Sequence, residues 1–116
     1  TIFPLLFSLL LSFQTKEELQ TAVDMWIENY STALSTYGEI NNWDVSLITD
    51  MSNLFYDDLW SDFYIDFNEN ISSWDVSNVT NMNSMFRNAN SFNQDISNWN
   101  VSNVENMEFM FNNVYI

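Results

Sequence analysis

The sequence predicts an α/β fold: a solenoid of short parallel strands and short helical turns, closed at one end by an α-helical N-terminal cap. Three observations predict it. One pattern is written three times, as INNWDVSLITDMSNLF at 40–55, ISSWDVSNVTNMNSMF at 71–86 and ISNWNVSNVENMEFMF at 96–111. Inside each copy the apolar spacing changes from two residues to three, the mark of a strand running into a tighter turn. Ahead of the copies, residues 15–38 carry a helical period instead.

The chain begins with the apolar run IFPLLFSLLLSF, shorter than the ~20 residues that span a bilayer and of the length of a secretory leader's core. Residues 1–12 are read as such a segment, truncated because it has no initiator Met, basic flank or A-x-A site; Ser12 is the best small residue. Residues 13–38 follow as the helical cap. Thr15 and Glu18 have capping-box spacing. Leu19, Ala22, Val23, Trp26 and Ile27 then form one stripe, a second short turn is expected from about Ser31 to Tyr37, and Gly38 offers a left-handed end.

Residues 39–116 are read as three solenoid repeats: 39–70 with an insertion, 71–95, and 96–116, which is incomplete. The offset is 31 residues between the first two copies and 25 between the last two, a range that signals stacked repeats. Seven apolar columns recur, headed by Ile40, Trp43, Val45, Ile48, Met51, Leu54 and Phe55. In the second copy Trp74 and Val76 alternate with Ser73, Asp75 and Ser77 as a strand does. Val79, Met82 and Met85 then follow at three-residue spacing, as in a short helix or 3₁₀ turn. A single coil leaves its columns exposed, and stacking buries them. The same argument assigns Met82, Met85, Met107 and Met110 to the core rather than to a soft-metal site.

Composition narrows the function. Sixteen acidic residues face two basic ones, Lys16 and Arg87, for a formal charge of -14. That balance opposes nucleic-acid binding, which draws its affinity from Lys and Arg, and opposes anionic membrane surfaces. No cysteine or histidine is present, so disulfides, thiolate metal sites and the usual general base are missing. The remaining catalytic resource is paired carboxylates, and no pair stands out; the chain is read as no enzyme.

Two places are candidates for binding. Stacked in register, Asp44, Asp75 and Asn100 form an outward column about 4.8 Å apart, with Ser46, Ser77 and Ser102 beside it. Calcium, which takes six to eight oxygens, is the candidate ion. The plain alternative is a solvated face whose side chains cap local backbone groups. The insertion YDDLWSDFYIDFNEN is the second place. Asp57, Asp58, Asp62, Trp60 and Tyr64 are its candidate partner-binding residues, since enlarged loops carry contacts and Trp and Tyr dominate hot spots. The alternative is that its rings fold back to plug the first coil. Four N-glycosylation patterns, at Asn29, Asn70, Asn78 and Asn100, matter only if the chain passes through a eukaryotic secretory route.

The motifs WDVSNVTNMNSMF and SFNQDISNWNVSNV resemble the BspA-like leucine-rich-repeat surface proteins, also grouped as the mycoplasma-type domain DUF285. The resemblance covers about residues 37–116, and the preceding helical segment resembles the cap found before such repeats. It implies a leucine-rich-repeat-like solenoid, exported and displayed on a cell surface, that serves adhesion or protein contacts without known catalysis. Relatives usually carry more repeats, so this chain looks like a fragment of a longer protein or a short member. The expectation is therefore a secreted or cell-surface interaction module with a protein or glycan partner, no nucleic acid and no membrane insertion of the mature domain. Its rivals are a calcium- or glycan-binding module using the Asp44 and Asp75 column, and a structural spacer.

Overall fold

The computed structural model describes residues 12–56 and 66–114. The apolar segment at 1–11 and the insertion residues 57–65 lie outside these. Helix α1, Lys16–Glu28, starts at Thr15, whose hydroxyl accepts from the Glu18 N–H at 3.1 Å. The Glu18 carboxylate reaches back to the Gln14 N–H at 2.9 Å, one residue ahead of the usual capping-box partner. Helix α2, Tyr30–Tyr37, is capped by Asn29 and ends at Gly38, which has φ +78° and donates to the Leu34 carbonyl. That left-handed geometry suits glycine. A 3₁₀ turn, Ile40–Asn42, leads into the first repeat.

The predicted α/β solenoid of parallel strands is not what forms. Among the described residues there are two α-helices and no strand or sheet; parallel pairing between repeats is confined to the single bridges Asp50 to Asn81 and Asn81 to Asn106. The reason lies in where the backbone donors go. At the expected strands, Trp43, Trp74 and Trp99 donate N–H to Ile40, Ile71 and Ile96 three residues back, and Ile48, Val79 and Val104 donate to Val45, Val76 and Val101. Between these turns the N–H of Ser46, Ser77 and Ser102 goes to the Oδ1 of Asp44, Asp75 and Asn100. Local bonds thus take the donors that a ladder needs. The inward and outward alternation survives: Trp74 and Val76 are buried, Ser73 and Asp75 exposed.

Of the two forms expected after Ser46, Ser77 and Ser102, short helices and 3₁₀ turns, the helices are absent among the described residues. Overlapping turns replace them. Met85, Arg87 and Ala89 donate to Met82, Ser84 and Phe86 in the same copy, while the intervening Met82, Ser84 and Phe86 donate to Asn106, Glu108 and Met110 of the next. The chain manages this by placing Asn53, Ser84 and Phe109, the same position in each copy, at φ near +58°, which breaks any helix.

Repeats therefore stack through alternate backbone N–H groups and through side chains. The Trp74 and Trp99 indoles donate to the Ile40 and Ile71 carbonyls at 2.7 and 3.1 Å, and Asn78 and Asn103 donate to the Ser46 and Ser77 carbonyls. Phe55, Phe86 and Phe111 stack at 5.3 and 5.6 Å, with Phe67 and Phe92 filling a second file against them. All seven columns are buried in the first two copies, whereas in the third Val101, Met107 and Phe111 are exposed. Leu19, Ala22, Val23 and Trp26 of α1 and Ala33 of α2 join the same core. Each buried Leu or Val contributes about 1.5–3 kcal/mol there.

Candidate functional site

Each residue of the expected column, Asp44, Asp75 and Asn100, closes a local cap. Asp44 Oδ1 accepts from both the backbone and the hydroxyl of Ser46, at 3.0 and 2.6 Å, and its Oδ2 accepts from the Ser12 hydroxyl at 2.6 Å. Asp75 makes the same pair of bonds with Ser77, and Asp95 with Ser97. Asn100 keeps the backbone bond to Ser102. These bonds favour the charged carboxylates. The hydroxyls of Ser12 and Ser46 hold Asp44 below the ordinary carboxylate range, and Ser77 and Ser97 do the same for Asp75 and Asp95, the Asp44 charge opposing it at Asp75. At Asp50 burial pushes upward, but Ser52 and Lys16 together outweigh it and the net shift is down. Among the described residues no three acidic side chains gather as a metal cage.

Of the insertion, Asp57, Asp58, Trp60, Asp62 and Tyr64 lie outside the described residues. Its return is described: Phe67 is buried and stacks on Phe55 at 4.1 Å. Beside it opens a cleft of about 290 Å³, lined by Trp26, Ile27, Tyr30, Asp66, Phe67 and Glu69. Trp26 and Phe67 form its apolar floor, Tyr30 stands half-exposed against Trp26 (4.8 Å, edge to face), and Asp66 and Glu69 are exposed at the rim. Aromatic faces with carboxylates beside them suit an ammonium or guanidinium group. Sequence reasoning missed this place. Its available signal was Tyr30, an aromatic residue four positions after Trp26 and just beyond the end of α1.

Both cations of the chain point inward. Lys16 Nζ bonds the carbonyl and hydroxyl of Ser52, with Asp50 at 3.7 Å. The Arg87 guanidinium lies between the rings of Tyr56 and Phe109, at 5.8 and 5.2 Å. Lys16 offsets only its neighbour Asp50, and the formal charge of the chain stays at -14. Among the described residues no helix is long and apolar enough to cross a membrane.

Comparison with known proteins gives one relationship. The family model described as "Mycoplasma protein of unknown function, DUF285" matches residues 21–115, which takes in α2, most of α1 and all three repeats. No curated protein and no solved structure matches the chain.

Proposed function

The chain belongs to the DUF285 family, and from that premise we propose that it is an exported surface module for protein contact or adhesion, recognising a cationic partner. One observation carries the reading: sixteen acidic residues face two basic ones, and both basic side chains are engaged within the chain, Lys16 with Ser52 and Asp50 and Arg87 with Tyr56 and Phe109, so a partner meets a strongly acidic exterior. Such a field speeds encounter with basic surfaces and penalises acidic ones. The cleft between α1 and the return segment supplies the specific element. A lysine or arginine of the partner would lie on Tyr30 and Trp26 with its charge between Asp66 and Glu69.

The test is a titration of the full chain with arginine-bearing and lysine-bearing peptides at several salt concentrations, followed by tryptophan emission. Saturable binding that weakens with salt, and falls in Asp66→Asn with Glu69→Gln, supports the proposal. Equal binding of a charge-reversed peptide would overturn the recognition element. Failure of antibodies to reach the protein on intact cells would overturn the surface assignment.

A further inference from the structure

The C-terminal end of α1 borders the acidic cleft and leaves backbone acceptors unused. The Asn29 N–H donates to the Met25 carbonyl at 2.7 Å, and the Ala33 N–H donates to the Asn29 carbonyl at 3.0 Å. Between these two bonds the helical ladder is interrupted. Asn29 has φ -146° and ψ 75°, and the carbonyls of Trp26, Ile27 and Glu28 accept from no donor among the described residues. Helix ends orphan such carbonyls, and a basic side chain in the last turn can serve them. The last turn of α1 carries none.

At Trp26 this matters most. The residue is 4 % exposed and lines the cleft together with Ile27, Tyr30 and Phe67. A buried carbonyl without a donor is destabilising, and the cleft is the open space that Trp26 borders. A ligand that carries N–H groups can supply the donor there.

The rings select the shape of that ligand. Trp26 and Tyr30 meet at 82° with centroids 4.8 Å apart, a corner rather than a slot between parallel faces. A guanidinium is a flat plate that stacks along a ring and pairs in plane with a carboxylate, whereas an ammonium on a four-carbon stem is compact and has three donors to distribute. The cleft offers acceptors on separate residues, with Asp66 and Glu69 exposed at the rim beside the Trp26 backbone.

Resting on the cationic-partner reading above, we infer that the cleft is a lysine site. It takes the primary ammonium of a partner's lysine, which donates to the Trp26 carbonyl and to the carboxylates of Asp66 and Glu69, while the methylene stem lies along Ile27 and Phe67. A quaternary ammonium has the same charge but no N–H, and leaves the carbonyl unserved. Trimethylation of that lysine therefore weakens the contact although the charge is kept.

The test leaves the chain unaltered and varies the cation. The isotope-labelled full chain is titrated with a glycine-serine peptide that carries several lysines and is blocked at both ends, and with the same peptide carrying ε-trimethyllysine or arginine instead. Backbone carbonyl shifts are read by NMR. The lysine peptide is expected to bind about tenfold more tightly than the trimethyllysine peptide, as one hydrogen bond from a charged group allows, and to move the Trp26 carbonyl carbon. Equal or tighter binding of trimethyllysine, or lysine binding with the Trp26 carbonyl unmoved, would overturn the lysine site and leave the cationic-partner reading standing. Arginine that binds as tightly as lysine with the same carbonyl shift would overturn the choice of lysine. No binding of any of these peptides would overturn both readings. In Asp66→Asn with Glu69→Gln the lysine peptide should lose at least about tenfold; retained affinity would put the peptide elsewhere on the acidic exterior and overturn the site.

Discussion

The Gln20 side chain donates to the backbone carbonyl of Leu54, 34 residues later, at 3.1 Å. In the second and third repeats the equivalent carbonyls, of Met85 and Met110, receive backbone N–H groups of Phe55 and Phe86. Lys16, one helical turn before Gln20, serves the Ser52 carbonyl in the same way. Helix α1 thus ends the stack by imitating a missing repeat with two side chains spaced i, i+4.

Removing that imitation should unseat the cap. Lys16→Met leaves the Ser52 carbonyl and hydroxyl without their donor in a part-buried place, and should lower stability by about 1.5–3 kcal/mol, the range for bonds to charged groups. Gln20→Ala should cost about 1 kcal/mol. Urea unfolding followed by circular dichroism checks both; a double variant no less stable than the original would show that α1 holds on by its apolar face alone.

At Asn53 the backbone sets the tolerance. Its φ is +59° and its side chain is exposed, so Asn53→Val should cost about 1–2 kcal/mol through steric strain. Asn53→Gly should stay close to the original. The pair of melts separates backbone strain from lost side-chain contact, because both variants remove the same amide.

The repeat offsets, the buried columns and the helical stripe of α1 were legible because they depend only on which side chains are apolar and how they are spaced. Strand and helix within the repeat were not. Val79, Met82 and Met85 at three-residue spacing fit a helix, yet overlapping turns with a left-handed Ser84 produce the same inward side chains. Apolar spacing reports side-chain direction, and here it does not distinguish the two backbones. The Asp-x-Ser motif was the available clue: Asp75 and Ser77 close a local turn that removes the donor a strand would use. The cleft joins Tyr30 to Asp66 and Glu69 across the stack, a proximity set by tertiary packing.

Acid should weaken the fold through the serine-bound carboxylates. Asp44, Asp75 and Asp95 titrate lower when folded than when unfolded. The unfolded chain therefore binds more protons as pH falls below its value of about 3.9, and stability present above that pH is lost through the lower folded values. Asn at these positions keeps the backbone bond, as Asn100 does with Ser102, but cannot titrate. The triple variant Asp44→Asn, Asp75→Asn, Asp95→Asn should show a shallower fall in stability between pH 5 and about 2. An identical fall in both proteins would assign the acid response to other groups.

Arg87 ties all three repeats together, since Tyr56 belongs to the first and Phe109 to the third. Replacing it with Gln removes the cation from between the rings and should destabilise by about 1 kcal/mol. Chemical denaturation in urea, which leaves ionic strength unchanged, is the appropriate measurement. A change within error would mean that the rings are held by the stack without help from the guanidinium.

Calcium should leave the melting temperature where it is. A cation in the Asp44 and Asp75 column needs several free oxygens, yet each Oδ1 already accepts two serine donors and the Asp44 Oδ2 accepts a third. Binding would have to open the turns that shape the chain between Trp and the next column, and the hydroxyl protons that stabilise the carboxylates would face the ion. A site occupied at 100 times its Kd would add about 2.7 kcal/mol, a shift readily seen when chelator is compared with millimolar calcium. Equal transitions are expected; a rise in calcium that disappears in Asp44→Asn with Asp75→Asn would show that the serines release these oxygens to the ion.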